Sequence, residues 1–131
     1  MTTEMHSGID YTIDVLQGKW RPRIIFWLGI RPLTGNELLQ LVPGSSAEQL
    51  TRQLTELQNL RVVNPVQDQA GKYALTAAGN DLRSTMTAMA VWGRQEMDDT
   101  ANELPRQVVE PDASANMEEL VRYIPVLDRY L

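Results

Sequence analysis

Cysteine is missing from this 131-residue chain, and it has a single histidine, His6, in a polar N-terminal segment. The first absence excludes disulfides, thiolate metal sites, nucleophilic cysteine chemistry and thiol redox sensing together. The second leaves a metal centre or a histidine base with one residue to rest on. No window approaches the roughly 20 apolar residues of a membrane span. No secretory hydrophobic region is visible either, so the expectation is a soluble cytoplasmic protein without a membrane partner. There is also no phosphate-cradling glycine loop, no metal-ligand cluster and no serine–histidine arrangement. An enzyme is therefore not expected, and no cofactor or metal is called for.

Acidic residues outnumber basic ones, and the net charge is −5. The charge is unevenly distributed. Residues 15–94 carry nine Lys or Arg against five Asp or Glu, whereas residues 95–131 carry three Arg against nine acids. A basic middle followed by an acidic tail is an asymmetry that suits a polyanionic partner, although a solvated acidic surface has the same composition.

The most ordered pattern runs from Ser45 to Leu60. Leu50, Leu54, Leu57 and Leu60 fall at steps of four, three and three, on one face of a helix. Ser45 and Glu48 stand three apart at its start and are predicted to form a capping box. The opposite face carries Gln49, Arg52, Thr55, Glu56 and Asn59, with Gln53 at the edge. These side chains hydrogen-bond well, and Arg52 is the one cation among them.

The flanking segments give this helix a context. Ile9, Ile13 and Leu16 predict a short helix capped near Gly18, after a weakly ordered start over residues 1–8. Pro22 suits the first turn of a second helix, which is apolar nearly all round (Ile24 to Leu28) and should be central. Thr34 and Glu37 predict a capping box on a third helix, which Val42-Pro43-Gly44 breaks abruptly. A short capped helix, a tight glycine turn and a longer capped helix make a helix-turn-helix layout. Val62–Val66, a turn at Asp68–Gly71 and Lys72–Leu75 predict a hairpin, a wing with Lys72 at its tip. Thr76 should cap a long helix to about Met97, whose face of Leu82, Met86, Met89 and Gly93 suggests a dimer interface. Residues 98–115 read as an acidic linker. Met117, Leu120, Val121, Ile124 and Leu127 then recover helical spacing, with Pro125 interrupting, to dock on this domain or on a partner subunit.

Several motifs occur in an order and spacing that resembles the HxlR-type transcriptional regulators. They are Gly18-Lys19-Trp20, Leu33-Thr34-Gly35-Asn36-Glu37-Leu38, Pro43-Gly44-Ser45-Ser46, Leu50 to Leu57, Tyr73-Ala74-Leu75-Thr76-Ala77-Ala78-Gly79, and Trp92-Gly93. The resemblance covers roughly residues 8–97. It implies a mainly α fold with a small β-hairpin wing, a winged helix-turn-helix, here with an extra C-terminal helical segment. On that basis residues 8–97 form a DNA-binding domain with dimerisation helices, and 98–131 an acidic linker and C-terminal helix. The family likeness further implies a homodimer on palindromic double-stranded operator DNA, the helix at Ser46–Asn59 in the major groove, and in several members a small-molecule effector. The cysteine that some members oxidise is replaced by the Gly8-Ile9 region, so thiol sensing does not carry over.

The candidate DNA-binding residues are accordingly Ser46, Gln49, Thr51, Arg52, Gln53 and Lys72. Arg52 suits guanine O6 and N7, and Gln49 and Gln53 suit adenine N6 and N7. Lys19, Arg21 and Arg31 are candidate phosphate contacts, with Arg23 and Arg61 as further cations. The alternative is a winged-helix protein-interaction module with weak or no DNA binding, which Glu48 and Glu56 on the reading helix would suit.

Overall fold

In the computed structural model, which describes residues 7–97 and 105–131, seven helices and a three-stranded sheet form among those residues. The expectation of a weakly ordered start falls largely on residues outside the described ones, as does the first part of the acidic linker.

The first helix, α1 (Gly8–Leu16), is capped by Ser7, whose hydroxyl accepts from the Asp10 N–H. It ends at Gln17, and the left-handed residue of the joint that follows is Trp20, at φ 71°, not Gly18. Gly18 serves the joint differently: a Cβ there would lie 2.0 Å from Arg21 Nε, so its bare backbone makes room for that guanidinium. Next comes α2 (Arg21–Ile30), with Pro22 in its first turn as expected. Ile24, Ile25, Phe26 and Trp27 are at most 1% exposed, which makes α2 the central helix. Phe26 and Trp27 meet edge to face, with centroids 5.5 Å apart.

A two-residue strand, β1 (Leu33–Thr34), leads into α3 (Gly35–Leu41). Thr34 Oγ1 accepts from the Glu37 N–H at 3.1 Å and Glu37 Oε1 from the Thr34 N–H at 2.9 Å, which is the predicted capping box. Gly44, at φ 87°, turns the chain into α4 (Ala47–Asn59). Here the capping box is Ser46 with Gln49, one residue later than Ser45 and Glu48. Ser45 belongs to the turn, because its N–H and its hydroxyl both donate to the Val42 carbonyl, at 3.3 and 2.7 Å. Ser46, at φ −106° and ψ 161°, has the extended backbone of a cap, and glutamine replaces glutamate at the third helical position.

Leu50, Leu54 and Leu57 are buried against α3 and the strand that follows. Each such burial stabilises by about 1.5–3 kcal/mol. The end of α4 is a Schellman motif, with Val62 N–H on the Leu57 carbonyl at 2.9 Å and Arg61 N–H on that of Gln58 at 3.0 Å. The left-handed position there is held by Arg61, at φ 62°, where glycine is usual.

The wing is β2 (Val63–Pro65) and β3 (Lys72–Leu75), turned at Gly71 (φ 78°). The sheet order β1-β3-β2 is antiparallel throughout, with Leu33 opposite Tyr73 and Val63 opposite Leu75. Thr76 opens α5 (Ala77–Met97), its hydroxyl accepting from the Gly79 N–H at 3.0 Å. On α5, Met86 is core, whereas Met89 and Trp92 are exposed.

The C-terminal residues pack on their own domain. Val108, Ala115, Leu120, Leu127 and Tyr130 join the core. Two short helices, α6 (Met117–Arg122) and α7 (Ile124–Leu127), are separated at Tyr123, with Pro125 in the first turn of α7 as its position predicts. Arginines of the main domain fasten this segment. Arg31 donates to the carbonyls of Ala113 (3.0 Å) and Ala115, Arg23 to Asp128 (2.9 Å) and to the Leu131 carbonyl (3.1 Å), and Arg83 to Glu110. Just before Ala115, the N–H and hydroxyl of Ser114 hold the Asp112 carboxyl below its ordinary range.

Candidate nucleic-acid interface

With its leucine face buried, α4 leaves one side to solvent. Ser46, Thr51, Arg52 and Thr55 are exposed there, and Gln49 and Gln53 are half-buried. The structure thus brings five of the sequence candidates, Ser46, Gln49, Thr51, Arg52 and Gln53, onto one helix. Their side chains are not equally at liberty. Gln49 Oε1 accepts from the Ser46 N–H at 3.1 Å as half of the capping box. Thr51 and Thr55 hydroxyls donate to the carbonyls of Ala47 and Thr51, at 2.8 and 3.0 Å. Arg52 Nη2 stands 3.7 Å from Glu48 Oε1, one turn away, with the two side chains 62% and 87% exposed. An ion pair so long and so wet holds little and yields readily to another acceptor.

Arg21 organises the flank of α4 that carries Gln53 and Glu56. Its Nε donates to Gln53 Oε1 at 2.8 Å, one Nη to the Val15 carbonyl at 3.0 Å and the other to Glu56 Oε2. Its side chain is 12% exposed and that of Glu56 45%. Of the two acidic residues on α4, Glu56 is therefore compensated from within the protein, whereas Glu48 stays exposed. One guanidinium ties the last turn of α1 to α4. Beside it, the Trp20 ring lies over the helix-turn-helix turn, where a Cβ on Gly44 would come within 3.2 Å of it.

The other cations divide into two groups. Arg21, Arg23 and Arg31 are engaged inside the protein, the last two with the C-terminal segment. Lys19, Arg61 and Lys72 make no ion pair among the described residues. Lys19 lies 4.9 Å over the Trp20 ring, close to the turn. Lys72 follows the wing turn directly and pairs with Thr34 across the sheet, at the head of α3. Sequence reasoning missed Arg21 as a clamp, because its partners lie 32 and 35 residues away with no local pattern to mark them. Among the described residues no group of three or more His, Cys, Asp or Glu could hold a metal ion, and no helix is long and apolar enough to cross a membrane.

A tight helical pair presenting a polar, solvent-facing second helix, followed by a hairpin and a long helix, defines a winged helix-turn-helix. The family model described as HxlR-like helix-turn-helix matches residues 15–101, and the chain belongs to that family. It is 24% identical over 110 residues to the uncharacterized HTH-type transcriptional regulator YkvN of Bacillus subtilis (strain 168), covering 80% of this chain and 92% of that one. It is 29% identical over 93 residues to the putative regulatory protein MalR of Fusobacterium mortiferum, covering 67% and 88%. A third relative, the uncharacterized HTH-type transcriptional regulator YtcD of Bacillus subtilis (strain 168), is 30% identical over 91 residues, covering 66% and 71%.

Proposed function

We propose that this protein is a sequence-specific DNA-binding transcriptional regulator that acts as a homodimer on palindromic operator DNA, with α4 in the major groove. The observation that carries this reading is the outer face of α4: polar, solvent-facing, and with its inward-leaning carboxylate, Glu56, already paired to Arg21. That pairing removes one of the two acidic residues, Glu48 and Glu56, on which the alternative of a protein-interaction module leaned.

Arg52 is the residue best suited to read a base, and Lys19, Arg61 and Lys72 are the cations left for phosphates. A dimer interface is supported by the apolar surface where α1 meets α5. Ile9 is 74% exposed there and Trp92 70%, and a shallow groove of about 210 Å³ runs between Ile9, Ile13 and Met89. Such side chains recur at helical spacing on both helices and suit a second copy of the same surface. Two copies would then read half-sites about one helical turn apart. A cleft of about 480 Å³ bounded by Arg83, Thr87, Val91, Arg106 and Val108 is of a size that suits a small-molecule effector.

Titrating the purified protein against its own upstream DNA and unrelated DNA at two salt concentrations tests the proposal. Preference for the upstream DNA is expected, with log K falling against log salt at a slope of about −5 per dimer if six phosphates are neutralised. Arg52→Ala should lose the preference and keep the fold. A shallow slope with no preference would overturn the regulator reading, and unchanged operator binding by the variant would remove Arg52 as a reader.

A further inference from the structure

We infer that the cleft between α5 and the C-terminal segment binds a small carboxylate with an apolar body, on the donors of Arg83 that Glu110 leaves open. The inference rests on the effector reading proposed above and names the chemistry of that ligand.

The cation of this cleft is built in. Arg83 rises from α5 and lies across α2 at Gly29, where a Cβ would stand 2.1 Å from both its Cδ and its Nε. Its Nε donates to the Phe26 carbonyl at 3.0 Å, and its guanidinium carbon lies 4.5 Å over the Phe26 ring. The side chain is 13% exposed and lines the cleft, so the charge is held in place before any ligand arrives. Of its five N–H donors one goes to Phe26 and one to Glu110, which leaves three without an acceptor among the described residues. A guanidinium edge of this kind matches the two oxygens of a carboxylate.

The surroundings set the sign and size of the ligand. Arg106, exposed on the C-terminal segment, lines the same space of about 480 Å³. Among the described residues the charges lining it are thus two guanidiniums and the Glu110 carboxylate, an excess of one positive charge that a monoanion balances. A phosphate group, at about −1.5 to −2 near pH 7, would leave the opposite excess. Ser84 and Thr87 on the α5 wall are neutral and spend their hydroxyl protons on carbonyls of their own helix, at 3.4 and 3.1 Å. Val91 and Val108 supply an apolar surface for the rest of the molecule. The volume is that of an ordinary small-molecule site. Residues 106–110, which form the second wall, lie beyond the family match at 15–101.

Calorimetric titration of the full-length protein with benzoate, with benzamide (the same shape without the charge) and with phenyl phosphate tests this. Saturable binding of benzoate is expected, about tenfold or more tighter than benzamide, with phenyl phosphate weaker than benzoate. Arg106→Gln should weaken benzoate about fivefold to tenfold, and Glu110→Gln, which removes the like charge, should strengthen it by about the same factor. Both side chains are exposed, so neither variant opens the core. No saturable benzoate binding, or equal affinity for benzamide, would overturn the inference. Tighter binding of phenyl phosphate would overturn the carboxylate assignment, and benzoate affinity unchanged in both variants would overturn the cleft as its site. Titration of the same protein with its upstream DNA keeps the two readings apart: absence of any DNA preference overturns the regulator proposal, whereas the carboxylate site stands or falls on the calorimetry.

Discussion

Gly79 is a position where one methyl group should disturb both stability and the wing. It lies in the first turn of α5 and is buried. A Cβ there would stand 2.2 Å from the carbonyl oxygen of Val62 and 3.2 Å from Leu75 Cβ. The carbonyl has no easy retreat, since it accepts from the Thr76 N–H at 3.0 Å and the Thr76 hydroxyl at 3.3 Å. To restore an ordinary contact, α5 must shift outward by about 1 Å, loosening the Thr76 cap and the entry to β2 together. Overpacking of this kind costs about 1–3 kcal/mol. Alanine's better helix propensity, about 1 kcal/mol in a helix interior and less in a first turn, offsets part of that. Gly79→Ala is therefore expected to lose about 1–2 kcal/mol, a fall in Tm of about 3–10 °C for a chain of this size. Thermal melting followed by circular dichroism, at one fixed protein concentration, reads it directly. A Tm equal to or above that of the parent would refute the reasoning, because it would mean the helix and Val62 separate without cost.

Other substitutions probe the remaining supports. Leu54→Ala, at a side chain 3% exposed, should cost about 2–5 kcal/mol in urea unfolding, and an unchanged midpoint would contradict its burial. Leu120→Ala should cost a similar amount although it lies beyond the family match at residues 15–101; a neutral result would show that the C-terminal segment is not part of the core. Arg61→Gly relieves a left-handed arginine and should raise stability by about 1 kcal/mol. The same change should lower the salt slope of DNA binding by about 1.8 per dimer if Arg61 meets phosphate in both subunits. A lower Tm would show that the Arg61 side chain contributes more than its backbone strain costs.

Features that depend on residues three or four apart were legible in the sequence. The Thr34–Glu37 box, the leucine stripe, the Thr76 cap, the glycine turn and the break at Pro125 all declare themselves within one or two helical turns. The α4 cap was displaced by one residue because Ser45 and Ser46 are equally good caps as letters, and only the turn at Gly44 decides between them. Strand β1 escaped because two residues carry no alternation, and it exists by pairing with β3, some 40 residues on. Whether the C-terminal helices dock at home or across a dimer was open for the same reason. Its anchors, such as Arg31 on the Ala113 carbonyl 82 residues away, leave no local trace.

The basic middle of the chain illustrates why charge counted along a sequence is a weak guide to a charged surface. An arginine contributes to a DNA-facing field only when its guanidinium reaches solvent on the correct side. Arg23, Arg31 and Arg83 lie within the basic stretch, yet each is turned to the C-terminal segment, and Arg21 is turned to Glu56. The acidic tail is thus in part the counter-charge of the basic middle, not a separate surface. On the function proposed above, Lys19, Arg52, Arg61 and Lys72 are the candidates for DNA, and binding should then draw on a handful of phosphates per subunit and specificity on the geometry of α4.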